Sequence, residues 1–132
     1  ISTRYPVVNT WYHVSVVYRA SAGTVDFYLN GVHSGDQITG VYTSIHNSDR
    51  GFSIGRQWDG TGPADCFDGK MDELRIWNVA RTSTEILNNK DIELTSNESG
   101  LMGYWKFNSN ALDSSPNGNH LTNNSGMTFI AN

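Results

Sequence analysis

Apolar and polar residues alternate in two runs near the start of the chain, which is the pattern of half-buried β-strands. The first run spans residues 11–18 and the second spans residues 25–29. Apolar side chains recur at every second position in both runs, as expected when one face of a strand is covered. The second run ends at Asn30-Gly31, a dipeptide that readily takes positive φ at both central positions of a tight turn. The pattern therefore predicts a β-hairpin at this dipeptide.

Further short strands are predicted along the rest of the chain, each bounded by turn residues. Residues 52–56 are one candidate, with Phe52 and Ile54 directed inward, and a long exposed loop follows over residues 57–66. The other candidate strands are residues 41–45, 71–77, 101–107 and 127–130. Short strands at intervals of roughly 8–12 residues are typical of an all-β sandwich or barrel.

One short helix is predicted near residues 82–89. Thr82 and Glu85 have the spacing of a capping box, in which each side chain accepts a hydrogen bond from the backbone of the other. The apolar pair Ile86-Leu87 follows within the first two turns. Because 132 residues suit one hydrophobic core but not two, we expect a single domain over residues 1–132.

Composition and charge narrow the classes of function. The net charge is -4 and charged residues make up 17% of the chain, so there is no basic surface for nucleic acid or anionic membranes. Cys66 is the single cysteine, which excludes an intrachain disulfide and a thiolate metal cluster. No apolar run reaches the length of a membrane span. The chain begins at Ile1 without a signal-like segment, and we expect it to be a piece of a larger protein.

The order of several motifs resembles the second half of laminin-G-like domains, which are concanavalin A-like jelly rolls. These motifs are W-Y-H-V-S-V-V-Y, F-Y-L-N-G, F-S-I-G-R, F-D-G-K-M-D-E-L-R-I-W-N and T-S-T-E-I. Two later segments, L-M-G-Y-W-K-F and D-S-S-P-N-G-N-H, resemble the opening of such a domain. The resemblance implies an all-β fold, a two-sheet antiparallel jelly-roll sandwich with one short helix.

The chain departs from the family because the opening motif stands last and the middle strands of the domain are largely missing. Two interpretations remain open. The chain is either a fragment that runs from one repeat into the next, or a rearranged sandwich in which residues 101–107 join the sheet beside residues 74–77. A chain that folds alone favours the second. A sheet edge left bare by the missing strands invites pairing, so we expect self-association or a second chain at that edge.

The acidic residues offer no clear catalytic pair. Glycoside hydrolases of related sandwiches carry two carboxylates on the same side of a strand. Asp72 and Glu73 are adjacent, which places them on opposite faces of a strand, and Asp91 and Glu93 lie in a polar stretch without a strand pattern. We therefore predict that the chain is not an enzyme, with a glycoside hydrolase fragment as the less favoured alternative.

The resemblance also implies a structural calcium ion. Related sandwiches hold Ca²⁺ through an Asp of the D-x-S-x-N-G-N turn, an Asp of the G-x-x-D-E strand and backbone carbonyls, which are the hard oxygens that calcium prefers. The matching residues are Asp113 and Asp72, with Asn117 and Asn119 supplying further oxygens. In the alternative interpretation, Asp113 caps the turn by accepting backbone hydrogen bonds, and Asp72 pairs with a nearby Arg or Lys.

A glycine-rich loop carries the candidate sugar-binding residues. Sugar-binding sandwiches stack an exposed aromatic side chain on the apolar face of a pyranose and bind its hydroxyls with polar groups. The candidate set is Arg56, Trp58, Asp59, Tyr42, His46 and Asp49. In the alternative interpretation, Trp58 folds over the edge of the core as a lid. Trp11, Trp77 and Trp105 lie in predicted strands and are expected to pack inside the fold.

These observations predict a non-catalytic carbohydrate-binding or adhesion module of a larger secreted or cell-surface protein, stabilised by structural calcium. The alternative is a structural spacer or a protein–protein interaction domain that binds no small ligand. An exposed Trp58 with convergent polar groups would favour the sugar-binding function, whereas a buried Trp58 would favour the spacer.

Overall fold

The computed structural model describes residues 6–45, 51–58, 62–123 and 126–130, with the backbone alone for residues 57, 58, 63 and 64. Its elements are β1 (Val14–Arg19), β2 (Thr24–Leu29), β3 (Val32–His33), β4 (Ile38–Thr39), β5 (Gln57–Trp58), β6 (Pro63–Ala64), β7 (Leu74–Trp77), α1 (Ser83–Asn89) and β8 (Leu101–Trp105). A single turn of 3-10 helix, Ala20–Ala22, joins β1 to β2. Every strand pair is antiparallel, which confirms the predicted all-β fold with one short α-helix.

The first sheet has the order β1-β2-β3, and β4 also pairs with β2. In the β1–β2 pair, Val14 lies opposite Leu29 and Val16 lies opposite Phe27. The β2–β3 hairpin turns at Asn30 and Gly31, which have φ values of 51° and 79°. Both values are positive, so the turn has the backbone conformation that the dipeptide predicts.

The second sheet is formed by β7 and β8, which lie far apart in sequence. Leu74 pairs with Trp105 and Ile76 pairs with Gly103, and a bulge follows at Trp77. The C-terminal strand therefore joins the sheet beside residues 74–77, as the rearranged-sandwich interpretation predicts. Trp105 also forms an antiparallel bridge with Asp113, on the side of β8 that faces away from β7.

Three predicted strands are wrong. Residues 41–45, 52–56 and 127–130 contain no strand, and Phe52 is 63% exposed instead of inward. A small hairpin of β5 and β6 lies instead within the predicted loop of residues 57–66. An alternating sequence becomes a strand only where a neighbouring strand is placed to pair with its backbone N–H and C=O groups.

Helix α1 begins with the predicted capping box. Thr82 Oγ1 accepts a hydrogen bond from the Glu85 N–H at 3.2 Å, and Glu85 Oε2 accepts one from the Thr82 N–H at 2.8 Å. The helix buries Ile86 in a cluster with Val17 and Tyr28 of the first sheet. In the ranges that the structure describes, no helix combines the length and the apolar character needed to cross a membrane.

A second core cluster lies beside the β7–β8 sheet and is formed by Leu94, Leu101 and Tyr104. Tyr104 is fully buried. Its hydroxyl donates to Glu73 Oε2 at 2.5 Å and accepts the N–H of Leu94 at 3.1 Å. Burial and the hydrogen bond to the Glu73 carboxylate raise the pKa of Tyr104 to about 12, because both disfavour the phenolate.

Arg75 connects the second sheet to the segment after the helix. Its guanidinium pairs with Glu73 at 2.6 Å, donates to the carbonyl of Asn89 at 2.8 Å and also donates to the carbonyl of Ile92. The side chain is only 9% exposed. The Arg75–Glu73 pair is thus part of the packing between two elements.

The more apolar face of the first sheet is its more exposed face. The strand register places a set of uncharged side chains together there, here named the apolar sheet face. Its members are Val14, Val16, Tyr18, Val25, Phe27, Leu29, Val32 and Ile38. Val14 is 66% exposed and Val16 is 58% exposed, whereas Val17 and Tyr28 on the opposite face are buried.

The opposite face of the first sheet carries a buried carboxylate. Asp26 is 4% exposed and contacts Arg19. It also accepts a hydrogen bond from the imidazole Nε2 of His33 at 2.9 Å and one from the amide Nε2 of Gln37 at 2.9 Å. The bond with His33, followed by those from Gln37 and Arg19, holds the pKa of Asp26 below its ordinary value despite the opposing effect of burial.

We predict that Asp26 causes the fold to lose stability as the pH falls into the acidic range. A carboxyl group with a depressed pKa in the folded state stabilises that state above the unfolded pKa of about 3.9, and this contribution disappears as the pH falls through the folded value. Urea unfolding between pH 3 and pH 7 should show this loss. Asp26→Asn should cost about 2 kcal/mol at pH 7 and should flatten the pH dependence. An Asp26→Asn variant as pH-sensitive as the parent would contradict the assignment.

Candidate functional site

The turn of residues 113–119 is held to β8 by the carboxylate of Asp113. Asp113 is 6% exposed. Its Oδ1 accepts the N–H groups of Tyr104 and Ser115, each at 2.8 Å. Its Oδ2 accepts the Ser115 hydroxyl at 2.9 Å and the Asn119 N–H at 2.8 Å. Burial alone would raise the pKa of Asp113, but these N–H groups outweigh it and hold that pKa below its ordinary value.

Asn117 and Asn119, the other two predicted calcium ligands of this turn, use their amide nitrogens within the fold. Asn117 Nδ2 donates to the carbonyl of Met102 at 3.2 Å, and Asn119 Nδ2 donates to the same carbonyl at 3.0 Å. The backbone carbonyl of Asn119 accepts the indole N–H of Trp105 at 3.0 Å. Both asparagines therefore fasten the turn to β8.

Asp72, the fourth predicted ligand, lies at the surface just before β7. Its Oδ1 accepts the N–H of Glu73 at 3.0 Å. Desolvation and the negative charges of Glu73 and Glu93 raise the pKa of Asp72. Asp72 precedes the strand that pairs with one side of β8, whereas Asp113 pairs with the other side.

The acceptor positions of Asp113, one of the four predicted calcium ligands, are filled by hydrogen bonds within the fold. A carboxylate has about four acceptor positions, and Asp113 already accepts four hydrogen bonds. The part of the chain that the structure describes also contains no group of three or more His, Cys, Asp or Glu side chains arranged to hold a metal. The hydrogen bonds match the capping interpretation of Asp113, and calcium stays a prediction.

The predicted sugar-binding loop is described only in part. Asp59, His46 and Asp49 lie outside the described residues, and Trp58 is described by its backbone alone, as part of β5. The two interpretations of its side chain, exposed or folded over the core, therefore stay open. Tyr42 is 90% exposed, and its carbonyl accepts the Tyr18 hydroxyl at 2.5 Å.

Arg56, the remaining member of the predicted set, is half-buried just before β5. Its backbone carbonyl accepts the hydroxyl of Ser53 at 3.2 Å. This hydrogen bond closes a tight segment that leads from Phe52 into the β5–β6 hairpin. Arg56 is thus adjacent to the predicted loop, as the sequence requires.

A cleft of about 380 Å³ opens between Phe52, the β7–β8 sheet and residues 119–121. Its apolar side chains are Phe52, Ile76, Met102, Trp105 and Leu121. The rings of Phe52 and Trp105 are stacked, with centroids 6.1 Å apart and planes at 26°. We name this feature the aromatic cleft.

Trp105 is able to form the floor of the aromatic cleft because residue 103 is glycine. The Trp105 indole lies across the backbone of β8, and a Cβ at Gly103 would be 2.4 Å from its Cη2 atom. That distance is far below van der Waals contact, so any side chain at this position would displace the ring. Trp105 itself is 3% exposed, which confirms its predicted packing role; Trp11, at 63% exposed, does not have that role.

The polar edge of the aromatic cleft is formed by Asn119 and His120. His120 Nδ1 lies 3.0 Å from the backbone N–H of Asp113 and accepts its hydrogen bond. A backbone N–H can only donate, so Nδ1 carries no proton and the neutral ring holds its proton on Nε2. His120 thus presents an N–H donor on the side that faces away from Asp113.

The acidic pairs considered for catalysis have other partners. Asp91 pairs with Lys90, and Glu93 pairs with Lys106 at 2.7 Å. Glu73 is occupied by Arg75 and Tyr104. No carboxylate is among the described residues that line the aromatic cleft.

The aromatic cleft is not among the sites predicted from the sequence, although the sequence contains a signal for part of it. The motif G-Y-W places a glycine two residues before a tryptophan in a strand, so both lie on one face and the ring can cover the glycine. No local signal predicts that His120 and Phe52 line the cleft, because both lie outside the strands and the helix.

We predict that Asp113 is an anchor of the fold in the absence of calcium. Asp113→Asn replaces one acceptor oxygen with an NH₂ group that faces an N–H donor, and it should lower stability by about 2–3 kcal/mol. If Asp113 acts as a turn cap alone, the parent should melt at the same temperature with EGTA as with added CaCl₂. A lower melting temperature in EGTA, abolished by Asp72→Ala, would instead establish the predicted calcium site.

Known proteins resemble this chain in both sequence and structure. The solved crystal structure of a proposed carbohydrate-binding protein from Bacteroides ovatus matches 98% of this chain with a TM-score of 0.72 and 28% sequence identity. This chain spans 40% of that protein. A laminin-G family model, described as the concanavalin A-like lectin/glucanases superfamily, matches residues 1–87. With its antiparallel strands and single helix, the chain belongs to the concanavalin A-like lectin/glucanases superfamily.

Proposed function

We propose that this chain is a non-catalytic carbohydrate-binding module of a larger secreted or cell-surface protein. The observation that carries the proposal is its similarity, over 98% of its length, to the proposed carbohydrate-binding protein of Bacteroides ovatus. The match has a TM-score of 0.72 and 28% sequence identity. Because it covers 98% of the chain, it includes both sheets and the C-terminal turn. Superfamily membership supports the same class of ligand, since the superfamily contains lectins as well as glucanases.

Binding without catalysis is supported by the surroundings of the carboxylates. A glycoside hydrolase needs two carboxyl groups about 5–10 Å apart across a cleft. In the described ranges, Asp26, Asp113, Glu73 and Glu93 are each engaged by several hydrogen bonds or an ion pair. As far as the structure describes it, the lining of the aromatic cleft contains no carboxylate. These surroundings favour a binding function over hydrolysis.

We predict that the chain binds at least one neutral glycan and does not cleave it. A glycan array probed with and without EGTA should show the same bound structures in both conditions, because the proposal requires no calcium. Incubation with each bound glycan should release no new reducing ends. An array without any bound glycan would refute the proposal, and release of reducing ends would show that the chain is a hydrolase.

A second candidate function is self-association through the apolar sheet face. The face consists only of uncharged side chains, and five of them are 38–66% exposed. An exposed apolar surface of this kind marks an interaction site. Its partner must offer an equally apolar surface, and a second copy of the chain does so. Two sheets packed face to face about 10 Å apart would bury both surfaces.

We predict that the chain dimerises and that Val16→Lys weakens the dimer. Lys at this position would place a charge in the centre of the interface, which is costly without a partner. Sedimentation velocity at several concentrations measures the effect. Ile92→Lys is the matched control, since Ile92 is 53% exposed and lies outside the first sheet. A monomeric parent chain at all concentrations would eliminate this candidate.

A further inference from the structure

We propose that the aromatic cleft is the site at which this chain binds a neutral saccharide. The ring of Phe52 would pack against the apolar face of a pyranose, and His120 and Asn119 would bind its hydroxyl groups. The inference rests on the carbohydrate-binding function proposed above and adds the site and the class of saccharide. It places the sugar beside the β7–β8 sheet, and not at the predicted loop around Trp58.

The floor of the cleft is fixed before any ligand arrives. The backbone of Trp105 pairs with Leu74 on one side and with Asp113 on the other. Its indole N–H donates to the carbonyl of Asn119 at 3.0 Å, and the ring covers Gly103. A preorganised ring loses little conformational freedom on binding, so more of the contact energy appears as affinity.

Phe52 supplies the accessible aromatic surface. The ring is 63% exposed although it stacks on Trp105. The buried indole holds one side of Phe52, and most of its surface remains open to the cleft and the solvent. Aromatic rings contribute a large apolar area with defined geometry. A pyranose ring, which has C–H groups on one face, would cover this surface.

The polar groups of the cleft suit the hydroxyls of a sugar. Nδ1 of His120 is occupied by the backbone N–H of Asp113, so Nε2–H remains as a donor. Nδ2 of Asn119 donates to the carbonyl of Met102, and no described residue donates to its Oδ1. A hydroxyl both donates and accepts, and it can therefore satisfy the imidazole donor and the amide acceptor together.

The lining also defines the charge of the ligand. Among the residues that the structure describes, it includes no Asp, Glu, Lys or Arg side chain. Removing a uronate or sialate carboxylate from water without a cation beside it is unfavourable. A volume of about 380 Å³ lies in the range of small-molecule sites. The cleft therefore favours neutral saccharides over acidic ones.

The test compares Phe52→Ala with Phe67→Ala by native affinity electrophoresis. The gels contain xylan, mixed-linkage β-glucan or galactomannan as neutral probes, and polygalacturonic acid as the acidic probe. Phe67 is the matched control, because it is 56% exposed and does not line the cleft. We expect at least one neutral probe to retard the parent chain. Phe52→Ala should weaken that retardation at least tenfold, while Phe67→Ala should leave it unchanged.

A second variant tests the polar edge without removing an aromatic ring. His120→Asn retains an acceptor near the Asp113 N–H but loses the Nε2–H donor. It should weaken retardation at least threefold and keep the melting temperature of the parent. This variant also serves if Phe52→Ala fails to fold, which circular dichroism would reveal.

The outcomes separate the inference from the function on which it rests. Retardation that is lost in Trp58→Ala but unchanged in Phe52→Ala and His120→Asn would overturn the cleft and retain the sugar-binding function. Stronger retardation by polygalacturonic acid than by any neutral probe would overturn the assigned class of saccharide. A parent chain retarded by none of the probes, and bound to no glycan on the array, would overturn both proposals.

Discussion

The carboxylate of Asp113 is the interaction on which the C-terminal third of the structure depends. It connects β8, through the Tyr104 N–H, to the turn that contains Ser115 and Asn119. Without it, three backbone N–H groups would be left unsatisfied or exposed, and each buried donor without a partner is costly. The backbone N–H of Asp113 donates to His120 Nδ1. One buried residue thus holds β8 to the turn through its carboxylate and orients the polar edge of the aromatic cleft through its backbone.

The two sheets are joined through side chains and not through direct strand pairing. Ile86 of the helix packs on the first sheet. The guanidinium of Arg75, in the second sheet, donates to the carbonyl of Asn89 at the end of the helix and to that of Ile92. The helix therefore fixes the relative position of the sheets, and Gly31 allows Leu87 to approach the hairpin closely. The first sheet nevertheless keeps its apolar face exposed. The same fold consequently presents two surfaces for the proposed recognition, the aromatic cleft and the apolar sheet face.

The features predicted correctly from the sequence are those whose cause lies within a few residues. The Asn30-Gly31 turn follows from the low cost of positive φ at both positions, and the capping box of the helix follows from the reach of two side chains. The motif order indicated the family and the pairing of the last strand with residues 74–77. The strand predicted at residues 52–56 failed because a single backbone hydrogen bond, from the Phe67 N–H to the Gly55 carbonyl, does not make a ladder with a neighbouring strand, and no local pattern contains that information.

The sequence by itself determined the all-β class, the hairpin, the single helix and the family, because each depends on local sterics, on periodicity or on a recognisable order of motifs. Only the tertiary structure decided that the apolar side of the first sheet is the exposed one, since alternation defines two faces without saying which is covered. It also decided that the acceptor positions of Asp113 are filled by three backbone N–H groups and the Ser115 hydroxyl, and that Phe52, Trp105 and His120 meet in one cleft. Those contacts join residues far apart in the chain, and they exist only after the elements have packed.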